Sequence, residues 1–383
     1  MNRRGFLSFV PKTAAIAGFP ALLLNAYAAE GVTAKAITIG CSAAMTGPLG
    51  GFGKSTRIGI DAAMFEINAK GGINGRTLAL DMVDDAYNPA RTAENVKKMI
   101  SDGNVFALSC CIGTPNNAAI FPMVEENQIP YISPTTGASS LRKAGLNNVF
   151  HVRASYTDET QRLVQNIVSM GLKGIAVAYL DNGFGKEVLA DAQKALTAAG
   201  VKAVIEVPVA ADGKNLPEAV ASIMAAKPAA IFLATAGAAS VTLLTAIKKA
   251  SPTLPIVSLS VAFSADGLKQ LGDLSSGIAM TTVIPDTRRD RLAVQREYHA
   301  AMRAMGNTDY ASGSLESYIA FQIIAEGLER AGKDLTRAKF RTAVAGLRNF
   351  DIGGFNINYS GSPYVGSKYI DLAILSAGGR IVG

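Results

Sequence analysis

Ala36-Ile37-Thr38-Ile39-Gly40-Cys41 opens the stretch that decides the fold, and Thr77-Leu78-Ala79-Leu80-Asp81-Met82-Val83 closes it. Both are short apolar runs bounded by turn residues, and both read as strands. Between them, residues 54–70 carry Ile58, Ala62, Phe65 and Ile67 at the spacing of one buried helix face. Gly71-Gly72-Ile73-Asn74-Gly75 stops that helix and turns the chain. Strand, helix, strand in this order implies a right-handed crossover and a parallel sheet covered by helices on both faces.

The pattern continues outward. Residues 89–101 read as a helix with Pro89 in its first turn, followed by a strand over 104–109, a helix from Pro115 and a strand over 130–133. The rhythm restarts after Phe150-His151-Val152-Arg153. Helices over 158–170, 186–199, 216–226 and 238–250 alternate with apolar runs at 174–180, 201–207, 229–234 and 255–259. The last part differs: helices over 291–305, 313–331 and 335–347 lie close together, and strand-like runs at 355–359 and 368–375 finish the chain. The expected fold class is α/β, with two doubly wound parallel-sheet lobes and a helical segment packed on one of them. The length of 383 residues agrees, because one hydrophobic core stops growing at roughly 250–300 residues.

Residues 1–28 read as an export signal. Arg3-Arg4-Gly5-Phe6-Leu7 precedes an apolar run over 14–24, and Ala26-Tyr27-Ala28 supplies the small residues a signal peptidase reads. The adjacent arginines match the twin-arginine route. Pro20 interrupts the apolar run, which falls short of the ~20 residues of a membrane span, and no later stretch reaches that length. The mature chain is therefore expected in the periplasm without stable membrane insertion, a setting that disfavours ATP- or NAD-dependent functions.

Composition narrows the classes further. Hydrophobic residues make up 49% of the chain and charged residues 17%, which suits a well-packed globular protein. Part of the net charge of +7 belongs to Arg3, Arg4 and Lys12 in the leader. The densest basic group, Arg288, Arg289 and Arg291, is diluted by Asp286 and Asp290, so nucleic-acid binding is not expected. Three cysteines (Cys41, Cys110, Cys111) and two histidines form no metal-ligand spacing, so neither metal nor cofactor is expected.

Catalytic motifs fail on inspection. Gly47-Pro48-Leu49-Gly50-Gly51-Phe52-Gly53-Lys54-Ser55 resembles a P-loop, but Pro48 stands where the spacing requires glycine. No G-x-S-x-G elbow occurs. Asp84-Asp85 is a carboxylate pair at a strand end, read as capping the following loop and helix rather than as acid–base machinery. No nucleophile, base and orienting group assemble, and an enzyme is not expected.

Ordered blocks run through the chain. They are Ala44-Met45-Thr46-Gly47-Pro48, Ala69-Lys70-Gly71-Gly72-Ile73-Asn74-Gly75-Arg76, Val83-Asp84-Asp85 with Asn88-Pro89, Ile129-Pro130-Tyr131-Ile132-Ser133-Pro134, Asn148-Val149-Phe150-His151-Val152-Arg153 and Asp181-Asn182-Gly183-Phe184-Gly185. In order and spacing the chain resembles the periplasmic substrate-binding proteins of ABC importers, in the branched-chain amino-acid branch with the type I periplasmic binding fold. That resemblance implies two α/β lobes joined by three crossovers that close on a small ligand. Lobe 1 is then 34–155 plus 285–350, and lobe 2 is 156–284 plus 351–383. It also implies ABC permease subunits as partners and a monomer. A ligand-sensing regulatory protein of the same fold, reporting to a signalling partner, is the alternative.

The resemblance also points to a site. Thr114, in Gly113-Thr114-Pro115-Asn116-Asn117, falls where relatives place a serine on the ligand carboxylate, and a helix start there suits an anion. Asn116 is counted with it. Thr135 matches a backbone-carbonyl ligand of the ammonium. Gly137 matches a threonine, with Thr136 able to substitute. Phe52 and Phe184 match tyrosines that flank the ligand, and both stand on glycine-rich loops. Ser260 or Val261 stands where amino-acid binders place a glutamate for the ammonium, and Ala236 and Gly237 where they carry a tyrosine. A buried ammonium without its carboxylate costs several kcal/mol. The expected ligand is therefore a small carboxylate-bearing molecule, an amino acid or an apolar or aromatic acid. Positions joined by a disulfide in some relatives are Tyr87 and Gly113 here. A bridge from Cys41 to Cys110 or Cys111 is conceivable across neighbouring strands, with buried free thiols the main expectation.

Overall fold

The structure, a computed structural model, describes residues 30–382, so the leader reading of residues 1–28 lies outside the described residues. The first lobe opens with β1 (Ala36–Ala43), α1 (Gly50–Ala69), β2 (Thr77–Asp84), α2 (Pro89–Ser101), β3 (Ala107–Ser109), α3 (Thr114–Glu126), β4 (Tyr131–Ile132) and β5 (Val149–His151). These strands are parallel in the order β2-β1-β3-β4-β5. Ile37, Ile39, Cys41 and Ala43 share one face of β1 and are all buried, and Gly40 and Ser42 on the opposite face are buried too, because helices cover both faces of the sheet.

The second lobe repeats the plan with α4 (Tyr156–Ser169), β6 (Ile175–Leu180), α5 (Gly183–Ala198), β7 (Ala203–Val209), α6 (Leu216–Ala225), β8 (Ala230–Ala234), α7 (Ala238–Ala250), β9 (Ile256–Ser258), α8 (Ala265–Leu271) and β10 (Ile278–Thr282). Its parallel strands run β7-β6-β8-β9-β10. Helix starts are capped where the sequence carries Asn or Ser: Asn88, Ser155, Asn182 and Ser264 each accept a backbone N–H of the following first turn. The sequence reading left out β10.

The chain then returns through α9 (Ala293–Ala304), α10 (Ser312–Ala331) and α11 (Arg337–Ala345). Helices α9 and α10 pack on α1, placing the helical segment on the first lobe. The Ser317 hydroxyl donates to the Thr56 carbonyl at 3.0 Å across the α1–α10 contact. The hairpin β11 (Phe350–Ile352) and β12 (Phe355–Ile357) follows, then β13 (Tyr364–Val365), β14 (Asp371–Leu375) and β15 (Ile381–Val382).

One boundary needs correction. Residues 351–383 were assigned whole to the second lobe, but β13 pairs parallel to β5 as the sixth strand of the first sheet. Tyr364 stacks on Phe150 with centroids 4.7 Å apart, and Gly366 N–H donates to the His151 carbonyl at 2.8 Å. The open edge of β5 thus holds the chain, which leaves the first lobe only after Val365. From there β14 joins the second sheet antiparallel to β10, and β15 pairs antiparallel to β14. Three connections therefore pass between the sheets, at 152–155, 283–292 and 366–370.

Candidate ligand site between the lobes

The site begins where the strands of both sheets end, the place at which open α/β sheets present loops to a ligand. In the first lobe Asp84 organises that edge. Its carboxylate accepts Met45 N–H at 2.8 Å, Ala86 N–H at 2.9 Å and the Thr46 hydroxyl at 2.6 Å. Burial opposes the charge, but Thr46 and these amides outweigh it and hold the carboxyl below its ordinary range. Asp85 accepts Tyr87 N–H at 2.8 Å and the hydroxyls of Ser42 and Thr92. The pair is a loop organiser, as the sequence suggested, and it sets the segment carrying Leu49 and Phe52.

Between the lobes lies a small chamber. Leu49, Phe52, Tyr87, Thr114 and Thr135 face it from the first lobe, and Tyr156, Phe184, Ala236 and Val261 from the second. Phe184 meets Tyr156 edge-on with centroids 5.2 Å apart. The walls are mostly apolar and aromatic, with a few hydroxyls, the usual make-up of a small-molecule site.

The lobes are in contact around this chamber. Ser140 of the first lobe donates its N–H and hydroxyl to Glu187 of α5 at 3.0 and 2.6 Å. On the opposite flank Lys269 of α8 pairs with Asp309 at 2.6 Å. A Cβ added at Gly237 would overlap the Pro48 carbonyl and the Leu49 side chain of the first lobe. Gly237 leaves no room for a larger side chain while the lobes meet. The described conformation is the closed one.

Several expected site residues meet here. Thr114, Thr135, Phe52 and Phe184 all line the chamber. Thr114 is the first residue of α3, preceded by Gly113 at φ +103°. Its hydroxyl pairs with that of Thr136 at 2.8 Å. The Thr135 carbonyl accepts Gly113 N–H at 3.1 Å, which ties the two strand-end loops together.

Others do not. Thr136 is fully buried behind Thr114 and orients it instead of facing the chamber. Asn116 is also fully buried; its amide turns away to donate to Thr92 at 2.7 Å. Gly137 does not line the chamber, and a Cβ there would lie 2.5 Å from the Tyr156 ring. Tyr156 takes the space of the threonine found in relatives. Ser260 lines a neighbouring space deeper in the cleft, while Val261 reaches the chamber.

Sequence reading missed Tyr87 and Tyr156. Both sit at strand or crossover ends, Tyr87 at φ +64° directly after the carboxylate pair and Tyr156 three residues after Arg153. That placement was the available signal. Tyr87 also covers Gly113, its ring overlapping the position of an added Cβ. The pair that some relatives join by a disulfide is thus adjacent, bridged by an aromatic ring. Cys41, Cys110 and Cys111 are buried free thiols, and burial pushes the Cys110 thiol up to about 12.

A buried polar cluster underlies the site. Arg153, in the first crossover, makes a two-point ion pair with Glu316 of α10, with Nε–Oε1 at 2.8 Å and Nη2–Oε2 at 2.9 Å. Burial works against the guanidinium charge, but Glu316, Tyr156 and Glu159 overcome it, so its pKa stands above the ordinary value. Glu159 of α4 accepts Ser260 N–H at 3.0 Å and the Thr281 hydroxyl at 2.5 Å. Burial raises its pKa despite the pull of Arg153. The sequence reading found no acid near Ser260 except Asp266. The fold brings Glu159 there from another helix, but behind the Ser260 backbone rather than in the chamber.

The sequence profile of the periplasmic binding protein family matches residues 36–362. The chain belongs to this family. A Leu/Ile/Val-binding protein of Rhizobium johnstonii is 26% identical over 77% of this chain and 80% of its own length. A Leu/Ile/Val-binding protein homologue of Brucella melitensis is 24% identical over 91% of this chain and 93% of its own. A substrate-binding periplasmic protein from Ralstonia solanacearum superposes with a TM-score of 0.86 at 28% identity, covering 90% of this chain and 99% of its own. Among the described residues no helix is long and apolar enough to cross a membrane.

Proposed function

We propose that the chain is an extracytoplasmic solute receptor that captures a small carboxylate-bearing molecule between its lobes and delivers it to an ABC permease. The observation that carries this reading is the chamber walled from both lobes by Phe52, Tyr87, Tyr156 and Phe184, with Thr114 at the start of α3. A carboxylate beside Thr114 has the hydroxyl and the positive end of a thirteen-residue helix to meet it. Closure of both lobes over such a ligand is the hinge motion that a membrane partner can read. Export through the twin-arginine route and a monomeric periplasmic state complete the proposal.

The body of the ligand is apolar or aromatic. Tyr156, Ala236, Val261 and Phe184 are what the second lobe presents to the chamber, and its buried glutamate lies outside it, with one carboxylate oxygen held by Ser260 and Thr281. An ammonium there would lack a counter-charge, at a cost of several kcal/mol. A second reading, a branched-chain amino acid, is favoured by the names of the Rhizobium and Brucella relatives.

A thermal-shift panel on the mature protein, stripped of ligand by unfolding and refolding, separates the two. Ligand at ~100 times its Kd adds ~2.7 kcal/mol and moves the melting point by several degrees. Shifts by aromatic or short-chain acids lacking an ammonium are expected. Shifts by leucine or isoleucine alone overturn the acid reading, and no shift by either class overturns the receptor site itself.

A further inference from the structure

Phe52, Thr135 and Val261 also border a second, larger space in the cleft, lined by Arg153 of the first crossover. Its inner wall carries Cys110, Arg153, Ser260, Thr281 and Glu316. Arg153 is 4% exposed, and two of its nitrogens are held by Glu316. Its third nitrogen, Nη1, is buried with no hydrogen-bond partner among the described residues. The Ser260 hydroxyl is in the same condition, although its backbone N–H is fixed by Glu159. A buried donor left unpaired is costly, more so on a charged group, so this wall is built to receive an acceptor. The Arg153–Glu316 pair is neutral as a unit, which leaves hydrogen bonding rather than bulk charge as the attraction.

We propose that this inner space is a second polar subsite. It holds a carboxyl or carbonyl oxygen at the far end of an elongated acid, with Arg153 Nη1 and the Ser260 hydroxyl as donors. The proposal rests on the receptor reading, in which the first carboxylate lies at Thr114. Phe52, Thr135 and Val261 border both spaces, so they would pack against the apolar middle of such a ligand.

The test is titration calorimetry of the mature protein with straight-chain α,ω-dicarboxylates of increasing length, each beside the monocarboxylate of the same length. One dicarboxylate length is expected to bind about tenfold or more tightly than its monocarboxylate partner, since the unpaired donors gain an acceptor only from the longer-reaching acid. In Ser260→Ala the ratio of the two affinities should fall toward one. Equal affinities at every length overturn the inner subsite and leave the Thr114 site standing. A ratio unchanged by Ser260→Ala overturns the assignment to this wall. A preference for ω-amino acids over dicarboxylates also overturns it, because an ammonium offers no acceptor. Failure of every acid to bind overturns the receptor reading together with this one.

Discussion

Replacing Gly51 by alanine should move stability and ligand affinity in opposite directions. Gly51 is the second residue of α1, so alanine fits the backbone and lowers the entropy lost on folding, worth about 0.5–1 kcal/mol within a helix and less at its first turn. In the closed form, however, the new Cβ would overlap the Ser264 hydroxyl and lie 2.9 Å from the Ser264 Cβ. Ser264 cannot simply swing aside, because its hydroxyl caps α8 by accepting Gly267 N–H at 3.2 Å and its own Cβ is part of the overlap. Overpacking of this kind costs about 1–3 kcal/mol, or roughly 5- to 150-fold in Kd at ~1.4 kcal/mol per decade. The overlap exists only when the lobes meet, so it falls on binding and not on folding of the separate lobes. Thermal melting of the ligand-free variant and titration with the tightest acid of the panel measure the two terms. Adding Ser264→Gly should restore most of the affinity, since glycine gives up only a few tenths of a kcal/mol as an N-cap. An unchanged Kd in Gly51→Ala would show that ligand binding does not bring α1 against the start of α8.

Two further substitutions probe the site and the polar cluster. Thr114→Val should weaken acid binding by about tenfold or more while costing the free protein only the ~1 kcal/mol of its bond to Thr136; equal affinity would remove Thr114 from the site. Glu159→Gln tests the cost of burying a carboxyl. The folded pKa of Glu159 is raised by burial, so its favourable contribution is fully present below the unfolded value of 4.5 and is lost as pH rises through the folded value. The variant should therefore melt above the wild type at pH 8, with the gap closing as pH falls through the raised folded value and levelling off below about 4.5; a gap independent of pH would contradict the assignment.

Local pattern carried most of the fold. The strand at β1, the start of α2 at Pro89 and the glycine stop after α1 were legible because each depends on neighbours within one turn or strand. β10 and the two residues of β13 were left unassigned, and β13 joined the first lobe because the edge of β5 was open. At the site, Phe52, Phe184, Thr114 and Thr135 were marked by their loops. Asn116, Thr136 and Gly137 stand in the same loops but face elsewhere, because side-chain direction at a strand end depends on what packs behind it. Asn116 turns to Thr92, Thr136 to Thr114, and Gly137 yields its space to Tyr156.

By itself, then, the sequence determined the alternation of strands and helices and the two-lobe plan, because these follow from periodicity and turn chemistry repeated along the chain, while the family was carried by the resemblance of its ordered blocks. Tertiary structure alone decided the site's character. Glu159 and Ser260 lie 101 residues apart in the chain, and Arg153 and Glu316 lie 163 apart. No local pattern reports such a meeting. The folding of each lobe brings these residues together, Glu159 to Ser260 in the second and Glu316 of the first to Arg153 in the crossover, and buries them beside the cleft.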